Sequence, residues 1–212
     1  MPNQNGSAYG LTALFPVRNG TFECTPDSGS AYEIAYIENL RQYLANMPQA
    51  GGGPFSRAPI THFSRFVVID KLAYNGEPAR VEELQSVYLL WTSCFNGDLH
   101  TYLGGLWATM RKELAEIFEH CVAYEDFAGE DGFIRYVERC QVTTSFLFAD
   151  YPDGRLEEVL DGLQLCHEFI PFVADNQDSD ASTLRANFDA WTTMMDDAEP
   201  PVPGANLPSR QQ

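Results

Sequence analysis

Residues 61–70 read THFSRFVVID and residues 86–95 read SVYLLWTSCF, and the turn Asn96-Gly97-Asp98 follows at once. Both runs are rich in β-branched and aromatic residues, which is typical of strands. After the turn, apolar residues recur every three or four positions as far as Cys121, and this spacing predicts one long helix, capped by Asn96 or Asp98, with a single buried face. Strands that lead into such a helix indicate an α+β fold.

The segments on either side supply the other predicted elements. Strands are predicted at Tyr9–Val17, Thr61–Asp70, Val87–Phe95 and Thr143–Ala149. Helices are predicted from about Ala31 to Met47, after the third strand, at Gly132–Cys140, at Leu156–Val173 and at Leu184–Met195. The core order is therefore β-α-β-β-α-β followed by helices. This is the order of the ferredoxin-like fold, an antiparallel sheet with helices on one face.

Length and charge limit the classes of protein that the chain can belong to. Its 212 residues suit one domain, predicted over residues 1–198, and the proline-rich residues 199–212 are expected to be a disordered tail. No long apolar run and no basic leader are present, which predicts a cytoplasmic protein without a membrane span. A net charge of −17 opposes binding to nucleic acid or to an anionic membrane.

The cysteines and carboxylates do not predict a metal site. The five cysteines are odd in number and form no C-x-x-C pair, which argues against a disulfide framework or a zinc knuckle. The carboxylates of Glu157, Glu158 and Asp161 are not accompanied by a histidine at ligand spacing, and they are interpreted as the exposed face of a helix. His120 and Cys121 close the long helix, where we expect them to cap its C-terminus.

The first strand and the two runs quoted above resemble the dimeric α/β-barrel superfamily, in which two such sheets face each other to form a barrel. The similarity is nearest to uncharacterised members close to the dye-decolourising peroxidase and chlorite dismutase branch. The Gly-x-x-Asp-Gly motif of the peroxidases is approximated by residues 128–132, where Ala128 replaces the first glycine. The resemblance implies a homodimer, a small-molecule substrate and, if haem is the cofactor, His167 as its ligand.

Alternation along the strand at residues 61–70 places His62 with Ser64 on one face and Arg65 with Phe63 on the other. Either face could line the barrel. On the first alternative His62 and Ser64 form a polar pair inside a cavity, and on the second Arg65 needs an acidic partner or an anionic substrate. A hydrogen-bonded structural histidine and a salt-bridged strand arginine are the simpler interpretations of each residue alone.

These observations lead to two functional hypotheses. The first is an enzyme that oxidises or cyclises a small apolar or aromatic molecule in a pocket between sheet and helices. His62 would act as general base, Arg65 would stabilise an anionic intermediate, Trp91 would form a wall, and His167 would ligate haem if haem is present. The second is a non-catalytic ligand-binding or protein-interaction module that uses the barrel and the acidic C-terminal surface.

Overall fold

The structure is a computed structural model that describes residues 3–25, 30–49, 51–58, 60–72, 76–77, 83–126, 128–199, 201 and 203–204. The chain is an α+β protein with a four-stranded antiparallel sheet. The strands are β1 (Gln4–Asn5), β2 (Ala8–Pro16), β3 (Thr21–Cys24), β4 (Tyr32–Ala35), β5 (Thr61–Lys71) and β6 (Glu83–Asn96). The helices are α1 (Tyr36–Asn46), α2 (Leu99–Phe118), α3 (Gly129–Cys140), α4 (Leu156–Asp175) and α5 (Ala181–Asp196).

The main sheet has the strand order β1-β2-β6-β5, and every neighbouring pair is antiparallel. β2 runs beside β6 from the pair Ala8–Asn96 to the pair Pro16–Tyr88. β5 pairs with the other side of β6, with register shifts near each of its ends. The three long strands predicted from the sequence are therefore confirmed, and they lie in the order first, third, second.

One face of the sheet forms the core. Alternate residues of β2 and β6 point to this inner face and are fully buried, because α2 and α3 contribute their own buried residues to the same cluster. The ring of Phe118, at the end of α2, is central to it. Six aromatic rings lie within 4.7–6.5 Å of the Phe118 ring centroid: Phe15, Phe66, Trp91, Tyr124, Phe133 and Tyr136.

The outer face carries exposed apolar side chains. Phe63 is 76% exposed, and its register partner Cys94 is in turn paired with Gly10 of β2. A Cβ atom at Gly10 would lie 3.0 Å from Leu147 Cδ1, so Leu147 packs on this face. The segment around Leu147 therefore crosses one end of the outer face.

The predicted fourth strand at Thr143–Ala149 is wrong. In the segment that follows α3, Gln141 forms a single β-bridge with Ala13 of β2. The Val142 amide donates to the Thr12 carbonyl at 2.8 Å, and residues 143–149 then form no strand. The next part of the β2 edge is already occupied by β1. The apolar alternation that suggested a strand comes from Phe146 and Phe148, which are 81% and 70% exposed.

The N-terminal part also contains a hairpin that the sequence did not predict. β3 and β4 pair antiparallel from Thr21–Ala35 to Cys24–Tyr32 and form a second, two-stranded sheet. Tyr32–Ala35 are extended, so α1 begins at Tyr36 and not near Ala31. Asp98 caps α2 by accepting from the Thr101 amide at 2.9 Å, as the turn predicted.

α4 and α5 together form a segment that we call the α4–α5 arm, and neither helix has a buried residue. Four aromatic rings of the arm pack on one another, and the contacting pairs have centroids 5.4–6.0 Å apart. The rings are those of Phe169, Phe172, Phe188 and Trp191. Within the described ranges, no helix is both long enough and apolar enough to cross a membrane. The predicted disordered tail, residues 199–212, lies outside the described residues except at 199, 201, 203 and 204.

Candidate functional site

A cavity of about 520 Å³ lies beside the outer edge of β5. Its other walls come from the end of α1, from the 3-10 turn Pro54–Arg57 and from residues 203–204. The lining combines apolar side chains with polar groups, most of which come from β5. The lining residues include Met47, Phe55, His62, Ser64 and Phe66.

His62 reaches this cavity and is held by Asn96. His62 Nε2 lies 2.7 Å from Asn96 Oδ1, which also accepts from the Leu156 amide at 3.2 Å. The Asn96 Nδ2 group donates to the Gly154 carbonyl at 3.1 Å, and this contact fixes which end of the amide is the acceptor. His62 Nε2 must therefore carry the proton, because Oδ1 cannot donate.

This hydrogen bond decides what His62 can do chemically. In the neutral ring with a proton on Nε2, Nδ1 is an acceptor. No hydrogen-bond partner for Nδ1 is present in the part of the chain that the structure describes. A histidine with a fixed tautomer and an available lone pair beside a cavity has the arrangement that a general base needs.

Trp91 was predicted to form a wall of the pocket, but in the structure it contacts the wall residues Ser64 and Phe66 from the core side. Trp91 Nε1 donates to Ser64 Oγ at 3.0 Å, and the indole stacks on Phe66 with centroids 5.5 Å apart. Trp91 has no exposed surface and does not line the cavity. The structure places it in the core behind Ser64 and Phe66, so its direct role is to support the wall that these residues form.

A series of hydrogen-bonded hydroxyl groups connects β5, β6 and α2. Thr61 Oγ1 donates to the Tyr102 hydroxyl at 3.3 Å, and Ser93 Oγ donates to the Phe63 carbonyl at 3.0 Å. Since Ser93 has only one hydroxyl proton, Tyr102 must donate the 2.7 Å bond between the two hydroxyls. Burial raises the pKa of Tyr102 to about 12. These residues were not predicted, because hydroxyl groups on a strand and a helix give no joint signal in sequence.

Arg65 lies on the outer face of β5 and lines the same cavity as His62. It pairs in register with Thr92, and its exposed side chain belongs to the outer face at the rim of the cavity. No ion pair to Arg65 occurs between residues whose placement is described. Ser64 and Phe66 face the core, whereas the register shift between Thr61 and Phe63 lets His62 bond to Asn96, the neighbour of the inward-facing Phe95. The alternation of the strand therefore does not extend to His62.

His167 is not brought to the same place. It lies eleven residues after Leu156 on α4, which corresponds to about 16 Å along a helix axis. It is half-exposed, α4 has no buried residue, and His167 lines none of the cavities described for this chain. A haem needs an enclosed apolar site around its axial ligand, and the residues around His167 do not fit that requirement.

His120 lies just past the end of α2 and is only 2% exposed. Its ring meets Phe22 and Tyr36 edge-on, with centroids 5.9 and 6.3 Å away. Its nitrogens approach the backbone carbonyls of Glu116 and Ile117 in the last turn of α2, where capping was predicted, but without well-aligned hydrogen bonds. Burial disfavours the imidazolium and lowers the pKa of His120 below its usual value.

The described residues contain no group of three or more His, Cys, Asp or Glu side chains placed to hold a metal ion. No family model matches the chain, and comparison with curated proteins and with solved structures finds no match.

Proposed function

We propose that the chain is an enzyme that removes a proton from a small apolar or aromatic molecule bound in the cavity beside β5. The observation that carries the proposal is the His62 imidazole, which lines the cavity and is bonded to Asn96 through Nε2, so that Nδ1 is the nitrogen left to act as a base. Nδ1 would take the proton, the electron pair would stay on the substrate, and Asn96 Oδ1 would stabilise the resulting imidazolium. In a cyclisation the carbanion then attacks a carbonyl carbon of the same molecule, the π electrons of that carbonyl move to its oxygen, and the His62 imidazolium returns the proton to this oxygen.

The proposed oxidation begins in the same way. It needs dioxygen as the oxidant that accepts electrons from the substrate anion. No step is assigned to haem, because the surroundings of His167 do not fit it. Trp91 supports the wall through Ser64, and Arg65 at the rim is placed to attract an anionic substrate group.

The test uses proton exchange, which needs no knowledge of the product. Aromatic 1,3-diketones carry an acidic C–H bond, and their exchange with D₂O is followed by NMR. The protein should accelerate this exchange, and His62→Gln should abolish the acceleration, because glutamine can still donate to Asn96 but cannot act as a base. His100→Gln is the matched control, since His100 is exposed and bonded to Glu138. Equal acceleration by wild-type protein and His62→Gln would overturn the proposal.

We also propose that two copies pair through their outer sheet faces, as in the dimeric α/β barrels that the sequence resembles. The strand order β2-β6-β5 and the single bridge of Gln141 with Ala13 support a ferredoxin-like arrangement whose fourth strand is reduced to one pair. Phe63 is highly exposed on this face, and Phe146 and Phe148 flank Leu147, which packs on it.

These three rings together display roughly 300–600 Å², which is at the upper end for an unpartnered monomer surface and a large share of one side of a standard interface. Analytical ultracentrifugation should find a dimer. Phe63→Glu should dissociate it, whereas Phe169→Glu on the α4–α5 arm should not. A monomeric wild-type protein at high concentration would refute the pairing.

A further inference from the structure

The α4–α5 arm contains an apolar groove that the proposed enzyme does not use. The groove has a volume of about 570 Å³ and lies where the end of α4 meets the start of α5. Its apolar lining consists of Phe169, Phe172, Val173, Ala181, Leu184 and Phe188. Four of these side chains are also substantially exposed, so the groove is open.

The α4–α5 arm leaves many of its apolar side chains exposed. Neither of its helices has a buried residue, although each carries large apolar side chains. Phe169, Val173, Leu184 and Phe188 are each between 39% and 44% exposed. Exposed apolar side chains that line one groove are typical of an interaction surface, so the packing of the arm is incomplete without another molecule.

The charge around the groove identifies the kind of molecule. Residues 156–196 contain nine Asp and Glu against one arginine, Arg185, which gives a net charge of −8 with histidine neutral. Asp175, Asp178 and Asp180 border the groove in sequence. This charge opposes packing of one arm on the arm of a second copy, and it also opposes an anionic membrane.

We propose that the α4–α5 groove binds a basic amphipathic helix of a partner protein. Apolar side chains at helical spacing would enter the groove, as amphipathic helices do in other grooves, and Lys or Arg on the flanks would face the acidic border. The open apolar groove and the one-sided charge support this occupant independently of the enzyme proposal.

The experiment measures anisotropy of a fluorescent peptide of about 18 residues, or five helical turns, with the full-length protein. The probe contains Leu at helical spacing and Lys elsewhere. A scrambled peptide of the same composition tests charge alone, and a Leu/Glu peptide of the same pattern tests its sign. The amphipathic Leu/Lys peptide should bind at least tenfold more tightly than either.

Two variants locate the site. Leu184→Ala should weaken binding about tenfold, because a leucine buried in the complex loses three carbons, whereas Leu163→Ala on an exposed part of α4 should have no effect. Arg185→Gln should tighten binding, because it removes the cation in the groove lining. Binding should weaken from about 0.05 M to about 0.5 M salt.

Other outcomes would overturn the proposal. Equal binding of the scrambled peptide, or no effect of Leu184→Ala, would mean that the acidic surface attracts cations without using the groove. Self-association that grows with salt and is lost in Leu184→Ala would assign the groove to a second copy. Binding to zwitterionic vesicles with the same variant pattern would assign it to lipid.

Discussion

Removal of the Ser93 hydroxyl should destabilise the protein more than removal of the Tyr102 hydroxyl. Both residues are almost fully buried, and their hydroxyl groups are 2.7 Å apart in the chain from Thr61 to the Phe63 carbonyl. In Tyr102→Phe, Ser93 keeps its bond to the Phe63 carbonyl. That variant loses the 2.7 Å bond to Ser93 and the longer 3.3 Å bond from the half-buried Thr61, or about 1–2 kcal/mol of unfolding free energy, and it leaves no fully buried hydroxyl without a partner.

Ser93→Ala has a larger effect because it leaves groups behind. The Tyr102 hydroxyl loses its acceptor, and the Phe63 carbonyl loses a donor. A stranded buried hydroxyl costs about 1–3 kcal/mol beyond the lost bond, so the expected total is about 2–4 kcal/mol. The double variant has no stranded tyrosine hydroxyl, and its cost should be no larger than that of Ser93→Ala.

Urea unfolding followed by tryptophan fluorescence measures these differences, with an unchanged m value as the check that the same surface unfolds. Each kcal/mol should also lower Tm by about 2–4 °C in a chain of this size. If Tyr102→Phe costs as much as Ser93→Ala, or if the two effects simply add in the double variant, the assigned direction of the hydrogen bonds is refuted.

Three further predictions concern the core and its titratable groups. Phe118→Ala should cost about 3–5 kcal/mol of unfolding free energy in urea titrations, because it removes the ring that six others contact; a cost below about 1 kcal/mol would contradict this packing. Because His120 has a lowered pKa, the unfolded chain takes up its proton at higher pH than the native protein, so stability should fall as pH drops below about 6.5. His120→Phe should reduce the loss of stability between about pH 7 and about pH 5.5, and equal pH dependence of the two proteins would refute this. Cys166 is exposed, whereas Cys121 is buried with a pKa raised to about 12, so a thiol reagent should modify Cys166 long before Cys121, as peptide mass mapping would show.

The parts of the fold that could be predicted from sequence are those with a strong local pattern. The strands around Phe66 and Trp91 and the helix after Asp98 combine composition, periodicity and a capping turn, and all three are present. The fourth strand failed because alternation cannot show whether Phe146 and Phe148 point to a core or to solvent. The β3–β4 hairpin was missed because its four-residue strands are too short to carry a period.

The candidate site was predictable in part for the same reason. Alternation placed His62 and Ser64 on one face, but the cavity is lined by residues of both faces of β5, and a register shift between Thr61 and Phe63 interrupts the alternation at His62. It could not show that Asn96, 34 residues later, fixes the tautomer of His62. His167 was selected by a family resemblance, and the distance along α4 separates it from His62. Contacts between residues distant in sequence depend on the packing of elements, which no local pattern records.

The antiparallel pairing of β2 with β6 has a consequence for synthesis on the ribosome. Ala8 is made first, yet its partner Asn96 emerges 88 positions later. At about 5–20 residues per second, the nascent β2 strand waits roughly 4–18 s for β6. During this interval only the two-residue β1 can pair with it, and most of its apolar side chains have no sheet to join, which is the situation in which chaperones bind. Val142, whose amide bonds to Thr12, leaves the ribosome later still, so β2 starts among the first strands and is among the last elements to be completed.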